Sequence, residues 1–146
     1  MSSIMCLWKY KNYLQHTKEG ALEKPPRFNS RQGRLHSAIQ LGERAYIVTY
    51  ANKCCCLVGR ITIAGKQYNP PNYKYGQFRI VGDPSESQYY EYGAKDITKV
   101  LRQLQFKTGK QIGASIHPLS LHLQTIRELT EDDVELLESC ISEPRH

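Results

Sequence analysis

Hydrophobic and polar residues alternate in two neighbouring segments of the chain, residues 44–50 and residues 54–63. A period of two with one apolar side is typical of antiparallel strands that pack one face on a core. Because only residues 51–53 separate the two segments, the pattern predicts a β-hairpin. On its second strand, the residues expected to share one face are Cys55, Leu57, Gly59, Ile61 and Ile63. Gly59 in mid-strand also predicts a bulge or a sharp bend.

Shorter patterns predict the remaining elements. Strands are expected over residues 4–8, 75–81 and 119–127, and helices over residues 11–18, 97–104 and 130–140. The polar, proline-containing stretches 21–37 and 65–72 are expected to be loops. Several strands beside short helices predict an α+β fold around a small curved β-barrel. At 146 residues the chain is expected to form one domain, residues 1–146, in which residues 130–146 are a C-terminal helix and tail.

Charge is distributed unevenly along the chain, whose net charge is +6. Residues 1–82 contain 13 Lys and Arg against three Glu, a net charge of +10, whereas residues 83–146 contain seven against 11 Asp and Glu, a net charge of −4. The basic half favours a polyanionic partner, and the alternative is a charge that serves only solubility. No run approaches the roughly 20 apolar residues that span a bilayer, and the first residues lack the apolar region of a signal peptide, so no membrane partner is expected.

The five cysteines do not have the pattern of a disulfide framework or of a metal site. Their number is odd, and Cys54, Cys55 and Cys56 are consecutive, so in a strand they point alternately to opposite faces. Small buried side chains in a reduced, cytoplasmic protein explain them best. We therefore expect no metal ion and no cofactor.

Catalytic motifs are absent from the sequence. Ser30 and His36 are close along the chain but lack a nucleophile-elbow sequence, and His117 and His122 have no ligand-like spacing. The acidic residues after Thr130 are explained by helix capping. The sequence therefore predicts a protein that is not an enzyme.

Cations and aromatic rings alternate in three places. The first is Lys9-Tyr10-Lys11-Asn12-Tyr13, the second is the segment 27–36 with three Arg around Phe28, and the third is Tyr73-Lys74-Tyr75. Arg and Lys bind phosphates, and aromatic faces stack on bases, so the combination favours single-stranded or flipped nucleotides. The alternative for segment 27–36 is a solvated loop held by Phe28.

The order of these segments resembles the EVE branch of the PUA-like superfamily, which is related to YTH and ASCH domains. The resemblance is carried by Trp8 after the first strand, Asn29-Ser30, the Gly42-Glu43 turn, residues 45–48 and residues 57–61. It implies a small β-barrel with flanking short helices that binds a modified base, flipped into a pocket with aromatic walls. It also implies that Trp8, Asn29 and Ser30 border the pocket. Such domains include specificity modules of modification-dependent restriction systems.

Taken together, these observations predict a non-catalytic nucleic-acid-binding domain for a modified or flipped nucleotide, with DNA and RNA both open and a nuclease or other effector as a candidate partner. The residues expected to contact the base are Trp8, Asn29, Ser30, Tyr50, Tyr73 and Tyr75. The residues expected to contact phosphate are Arg27, Arg31, Arg34, His36, Lys74 and Arg79. Two alternatives stay open: a nucleoside-like small-molecule sensor or enzyme that uses the same pocket, and a protein-interaction subunit that docks through its acidic C-terminal helix.

Overall fold

The computed structural model describes residues 3–18, 26–107 and 125–142. The strands are β1 (Ser3–Leu7), β2 (Arg27–Ser30), β3 (Arg44–Ala51), β4 (Cys54–Tyr68), β5 (Phe78–Gly82), β6 (Gln88–Tyr89) and β7 (Arg127–Leu129). The helices are α1 (Tyr10–Lys18), α2 (Arg34–Ser37), α3 (Thr98–Leu101) and α4 (Glu131–Ser142). The chain is therefore a mixed α+β protein, as its sequence predicts.

The β3–β4 hairpin forms the centre of the sheet and confirms the strongest sequence pattern. Asn52 and Lys53 both have positive φ, 53° and 61°, which suits a two-residue turn between twisted strands. The pairing of β3 with β4 shifts beside Gly59, because Ile47 pairs with Gly59 while Val48 pairs with Leu57. This shift is the bulge that the mid-strand glycine predicted.

The bulge makes one detail of the prediction wrong. Cys55 and Leu57 pack in one hydrophobic cluster with Tyr46 and Val48, whereas Ile61 and Ile63 pack in the other cluster. One extra residue reverses the side to which every later side chain of a strand points, so a strict period of two fails beyond it.

The strands form one sheet in the order β2-β5-β4-β3-β1-β7, and β6 pairs with the middle of β4. β1 is parallel to β3 and antiparallel to β7. Because β2 and β7 end this path without pairing to each other, the sheet of the described residues is not closed and the predicted barrel is not confirmed. Within the described ranges, no helix combines the length and the apolar character needed to cross a bilayer.

Both faces of the sheet centre are buried. One cluster includes Ile4, Cys6 and Ile47, and the other includes Met5, Tyr46 and Val48, so neighbouring residues of β1 and β3 point to opposite cores. Cys6, Cys55 and Cys56 are buried, which confirms their interpretation as small buried residues, whereas Cys54 and Cys140 are only half-buried. Burial raises the pKa of the Cys6 and Cys55 thiols.

Two predicted loops contain regular structure. Residues 21–37 were expected to be a loop, but the described part contains β2 and α2, with Phe28 and Leu35 buried. β4 also continues to Tyr68, through the first half of the predicted loop 65–72, and pairs there with β5. Most of the predicted strand over 119–127 lies outside the described residues, which resume shortly before β7.

α4 begins as its sequence predicts. Thr130 Oγ1 accepts a hydrogen bond from Asp133 N at 3.1 Å, and Asp133 Oδ2 accepts one from Thr130 N at 3.0 Å, which is a reciprocal capping box. Asp133 also accepts bonds from Gln105 N and Phe106 N at 2.8 and 2.9 Å. This carboxylate therefore fastens the segment after α3 to the start of α4.

Candidate functional site

A cavity of about 550 Å³ lies beside β2, the first strand in the order of the sheet. Its described lining comes from three segments. The first runs from the end of β1 to the start of α1, the second is β2 with the turn after it, and the third is the pair Lys74 and Tyr75 in the turn that precedes β5. The lining residues are Leu7, Trp8, Lys9, Lys11, Asn12, Phe28, Asn29, Ser30, Arg31, Gln32, Lys74 and Tyr75. Each of the three segments in which cations alternate with aromatic rings contributes to this lining.

The described lining is cationic. It contains Lys9, Lys11, Arg31 and Lys74 and no aspartate or glutamate. Arg31 donates from Nη2 to the carbonyl of Lys74 at 3.4 Å, and the Lys74 ammonium lies 4.8 Å from the centre of the Tyr75 ring. Four positive charges around one concave surface favour a negatively charged ligand.

Trp8 lies at the boundary between this cavity and the core. Its ring makes edge-to-face contacts with Tyr13 at 5.4 Å and with Phe28 at 5.8 Å between ring centres, and only 6% of the residue is exposed. It therefore forms a fixed wall of the cavity. Tyr75, which is half-buried, is more exposed than Trp8 and also lines the cavity.

Asn29 is held by its side-chain oxygen. Its Oδ1 accepts hydrogen bonds from Arg79 Nε and from Asn69 Nδ2, both at 2.9 Å. Because both partners are donors, this network fixes the orientation of the amide. The buried Nδ2 of Asn29 has no hydrogen-bond partner among the described residues.

The segment that carries Lys74 and Tyr75 is fastened to β2 by two residues. Asn69 is buried, and its Nδ2 also donates to the carbonyl of Gly76 at 2.8 Å. Gly76 has a φ of +112°, and a Cβ at this position would overlap the backbone carbonyl of Ser30. The wall made by Lys74 and Tyr75 therefore depends on a glycine that approaches β2 closely.

Several residues expected to contact the ligand lie behind the cavity lining. Tyr73 contacts Tyr75 at 5.7 Å between ring centres, and the Arg79 guanidinium lies 5.6 Å from the Tyr73 ring. Arg27 is half-buried, and neither its side chain nor that of Arg79 is part of the cavity lining. Tyr73 and Arg79 therefore support the lining residues Tyr75 and Asn29, whereas Arg27 lies outside the lining.

Three further residues from the expected set lie elsewhere. Arg34 forms an ion pair with Glu128 at 3.2 Å. His36 Nε2 bonds the carbonyl of Arg79 at 2.8 Å, and its ring packs on Phe78. Tyr50 packs against the cluster that contains Leu57, on the other face of the sheet from Trp8. Of the expected residues, the cavity brings together Trp8, Asn29, Ser30, Arg31, Lys74 and Tyr75.

Lys9, Lys11, Asn12 and Gln32 line the cavity but were not among the expected ligand-contacting residues. The first three belong to the alternating segment that begins at Lys9, so the sequence did contain a signal for them. What the sequence lacks is the position of α1, which places these residues opposite β2. Gln32 holds the turn after β2, since its Oε1 accepts a hydrogen bond from Ile126 N at 2.9 Å.

Comparisons with known proteins leave this geometry as the available guide to function. The chain matches no protein-family model, and a search of curated proteins finds no significant match. Within residues 3–18, 26–107 and 125–142, no cluster of three or more His, Cys, Asp or Glu side chains is arranged to hold a metal ion.

Proposed function

We propose that this protein is a non-catalytic nucleic-acid-binding domain that holds one modified or flipped nucleotide in the cavity beside β2. The observation that carries the proposal is the composition of the described lining: four cations, three aromatic rings, two asparagines and no carboxylate around about 550 Å³. A cavity of this volume is within the usual range for small ligands and cofactors.

Each part of the lining has a defined task in this proposal. The cations neutralise the phosphates on either side of the bound nucleotide, and the release of counterions supplies most of the affinity. Tyr75 stacks on the base, while Trp8 and Phe28 limit the size of the base that enters. The polar residues of the lining, among them Asn12 and Asn29, contact the base edge.

The resemblance to EVE domains is part of the same proposal. Trp8 directly after β1, beside Asn29 and Ser30, lies where the resemblance implies a pocket wall. The bulge beside Gly59 gives the central hairpin the local bend and twist that a PUA-like barrel requires. We therefore propose a divergent PUA-like domain whose described strands form the open sheet reported above.

Binding to single-stranded DNA and RNA oligonucleotides, each with plain or modified bases, tests the proposal by fluorescence anisotropy at two salt concentrations. With all four cations on phosphates, the logarithm of the association constant falls with the logarithm of salt concentration with a slope of about −3. We expect one modified base to bind at least tenfold more tightly than its plain counterpart.

Arg31→Ala and Arg34→Ala form a matched pair for this experiment, because both remove one exposed guanidinium. Arg31 lines the cavity, whereas Arg34 is paired with Glu128 outside it. We expect Arg31→Ala to weaken every oligonucleotide and to reduce the salt slope by about 0.7, and Arg34→Ala to change neither.

Two outcomes would contradict the proposal. Equal binding of all plain and modified oligonucleotides would remove the base-specific pocket. Absence of salt-dependent binding, together with a thermal shift caused by free nucleosides, would instead support the small-molecule sensor.

A further inference from the structure

The pairing of β2 with β5 fixes the direction in which each β2 peptide group points. Gly82 N donates to the carbonyl of Pro26 at 2.8 Å, so positions 26 and 82 form a hydrogen-bonded pair of the antiparallel ladder. Such pairs alternate with non-bonded pairs. Phe28 and Ser30 therefore bond to β5, at Ile80 and Phe78.

The remaining β2 residues, Arg27 and Asn29, direct their N–H and C=O groups away from β5, toward the free edge of the sheet. Arg27 confirms this direction. Its N–H donates to the Tyr89 hydroxyl at 2.9 Å, and the same hydroxyl donates to the Arg27 carbonyl at 3.1 Å. One side chain thus satisfies both edge groups of Arg27.

Asn29 has no such cap within the described residues, and it lines the cavity. Within the described residues, the free edge of β2 is therefore one residue long. It consists of the Asn29 N–H, a donor, and the Asn29 C=O, an acceptor, and it lies between the capped Arg27 and the end of the strand at Ser30. An added peptide strand needs several such pairs in succession, which the Tyr89 cap prevents. A single planar group with adjacent donor and acceptor atoms fits the available edge.

We propose that the main-chain N–H and C=O of Asn29 bind the Watson–Crick edge of the base in the cavity. This inference rests on the proposed function and names the contact that holds the base. Adenine, guanine, cytosine and uracil each present a donor next to an acceptor on this edge. The main-chain groups therefore anchor any base, and the choice among bases is left to the side chains of the lining.

The side chain of Asn29 supports this arrangement. Its bonds to Arg79 and Asn69 hold residue 29 in place before a ligand arrives. A contact that is already positioned costs less ordering on binding. Tyr89 and Asn69 consequently act on binding through the backbone of β2, without touching the base.

Amide hydrogen exchange of the ¹⁵N-labelled protein tests the contact directly by NMR. Without ligand, we expect the Asn29 amide to exchange at least about tenfold faster than the amides of Phe28 and Ser30, which are in the ladder. The oligonucleotide that binds most tightly should slow Asn29 exchange about tenfold or more. Binding that leaves the Asn29 amide unchanged overturns this inference and leaves the proposed function standing. No binding by any oligonucleotide removes both.

Asn29→Pro and Asn29→Ala provide the matched variants. Both remove the amide side chain, but only proline removes the N–H, and an edge strand tolerates proline where its N–H faces away from the ladder. We expect Asn29→Pro to bind about five- to tenfold more weakly than Asn29→Ala, with the same salt slope. Equal affinity of the two folded variants would contradict the contact.

The ligand side offers an independent test with the unaltered protein. An oligonucleotide whose target base carries a methyl group on its Watson–Crick ring nitrogen should lose at least about tenfold in affinity, while methylation of the opposite edge should not. If both methylated bases bind equally well, the Watson–Crick edge does not face Asn29.

Discussion

The cavity beside β2 and the cluster of Glu138, Arg44, Arg60 and Tyr46 use basic residues in opposite ways. In the Glu138 cluster, Oε1 accepts hydrogen bonds from Arg60 at 2.6 Å and from Arg44 at 3.3 Å, while Oε2 accepts one from the Tyr46 hydroxyl at 2.9 Å. This cluster fastens α4 to the sheet. The cavity gathers four cations, and no carboxylate lies in its described lining.

The difference shows what a charge count along the sequence conceals. Arg34, Arg44 and Arg60 belong to the basic half of the chain, yet all three pair with carboxylates of the acidic half, at Glu128 and Glu138. Part of the charge asymmetry therefore cancels inside the molecule. The excess of positive charge remains at the cavity beside β2, where four cations line one concave surface. This is why we propose that the ligand binds there.

Gly76→Ala should have the largest effect, because it acts on both the cavity wall and the stability of the fold. The new Cβ would overlap the Ser30 backbone at a residue whose φ is +112°. We expect a loss of about 3 kcal/mol in unfolding free energy and loss of oligonucleotide binding. Gly42→Ala is the control. Gly42 has a φ of +88°, but a Cβ added there would meet no atom beyond its chain neighbours within 4 Å, so we expect a loss of about 1 kcal/mol in unfolding free energy. Equal effects, measured by chemical denaturation, would mean that Gly76 does not pack against β2.

Glu138→Ala should break the Glu138 cluster and leave the cavity intact. Removing the carboxylate leaves two arginines and the buried Tyr46 hydroxyl without this partner. Because the two arginines are partly exposed, we expect a loss of about 2 kcal/mol in unfolding free energy. Glu135→Ala, on the exposed side of α4, should cost less than about 0.5 kcal/mol. Oligonucleotide affinity should stay within twofold for both variants. A larger change would mean that the Glu138 cluster and the cavity beside β2 are energetically coupled.

Tyr75→Leu should sharpen the description of the cavity. It removes the ring but keeps a hydrophobic side chain, and we expect affinity for the preferred oligonucleotide to fall about five- to tenfold, since stacking contributes about 1–3 kcal/mol per base. Tyr68→Leu is the matched control, because Tyr68 is 70% exposed and lies outside the cavity. The same loss in both variants would indicate that exposed aromatic residues act without a specific site.

Alkaline pH should produce the smallest effect at the Glu138 cluster. Buried thiols such as Cys6 and Cys55, whose pKa is also raised, add a loss of stability that is common to the unaltered protein and the variant below. Burial, with the hydrogen bond to Glu138, raises the pKa of Tyr46 above its ordinary value of 10.0. The unfolded chain then loses this proton at lower pH than the folded protein, so the stabilisation is complete below pH 10 and declines above it. By about pH 10.5 the loss is roughly 0.8 kcal/mol. In thermal denaturation, Tyr46→Phe should decline less steeply above pH 10 than the unaltered protein, and parallel profiles would contradict the assignment.

Local patterns predicted those parts of the fold in which one residue type repeats at a fixed spacing. The β3–β4 hairpin, β1, α1 and the capped start of α4 agree with the alternation and capping signals that predicted them. β2 was missed because its four residues are mostly polar. Phe28 is its only fully buried side chain, and pairing with β5 stabilises the strand. A short strand that is stabilised mainly by pairing with its neighbour shows only a weak hydrophobic pattern in its own sequence.

The candidate site was predicted in part, for a related reason. Trp8, Asn29, Ser30, Arg31, Lys74 and Tyr75 line the cavity as expected. Arg34 and His36 come from the same segment but turn away in α2, which the sequence did not reveal. Whether an arginine faces a cavity or a carboxylate depends on residues up to 94 positions away.

The amino-acid sequence by itself determined the fold class, the central hairpin with its bulge and the residue types available for binding, because these depend on interactions between near neighbours. The tertiary structure alone decided which cations line a cavity whose described lining contains no carboxylate, which peptide group of β2 lies at a free edge among the described residues, and that α1 faces β2 across that cavity. Those properties arise from contacts between segments far apart in the chain, and the balance of charge and hydrogen bonds at each position is fixed only when those segments meet.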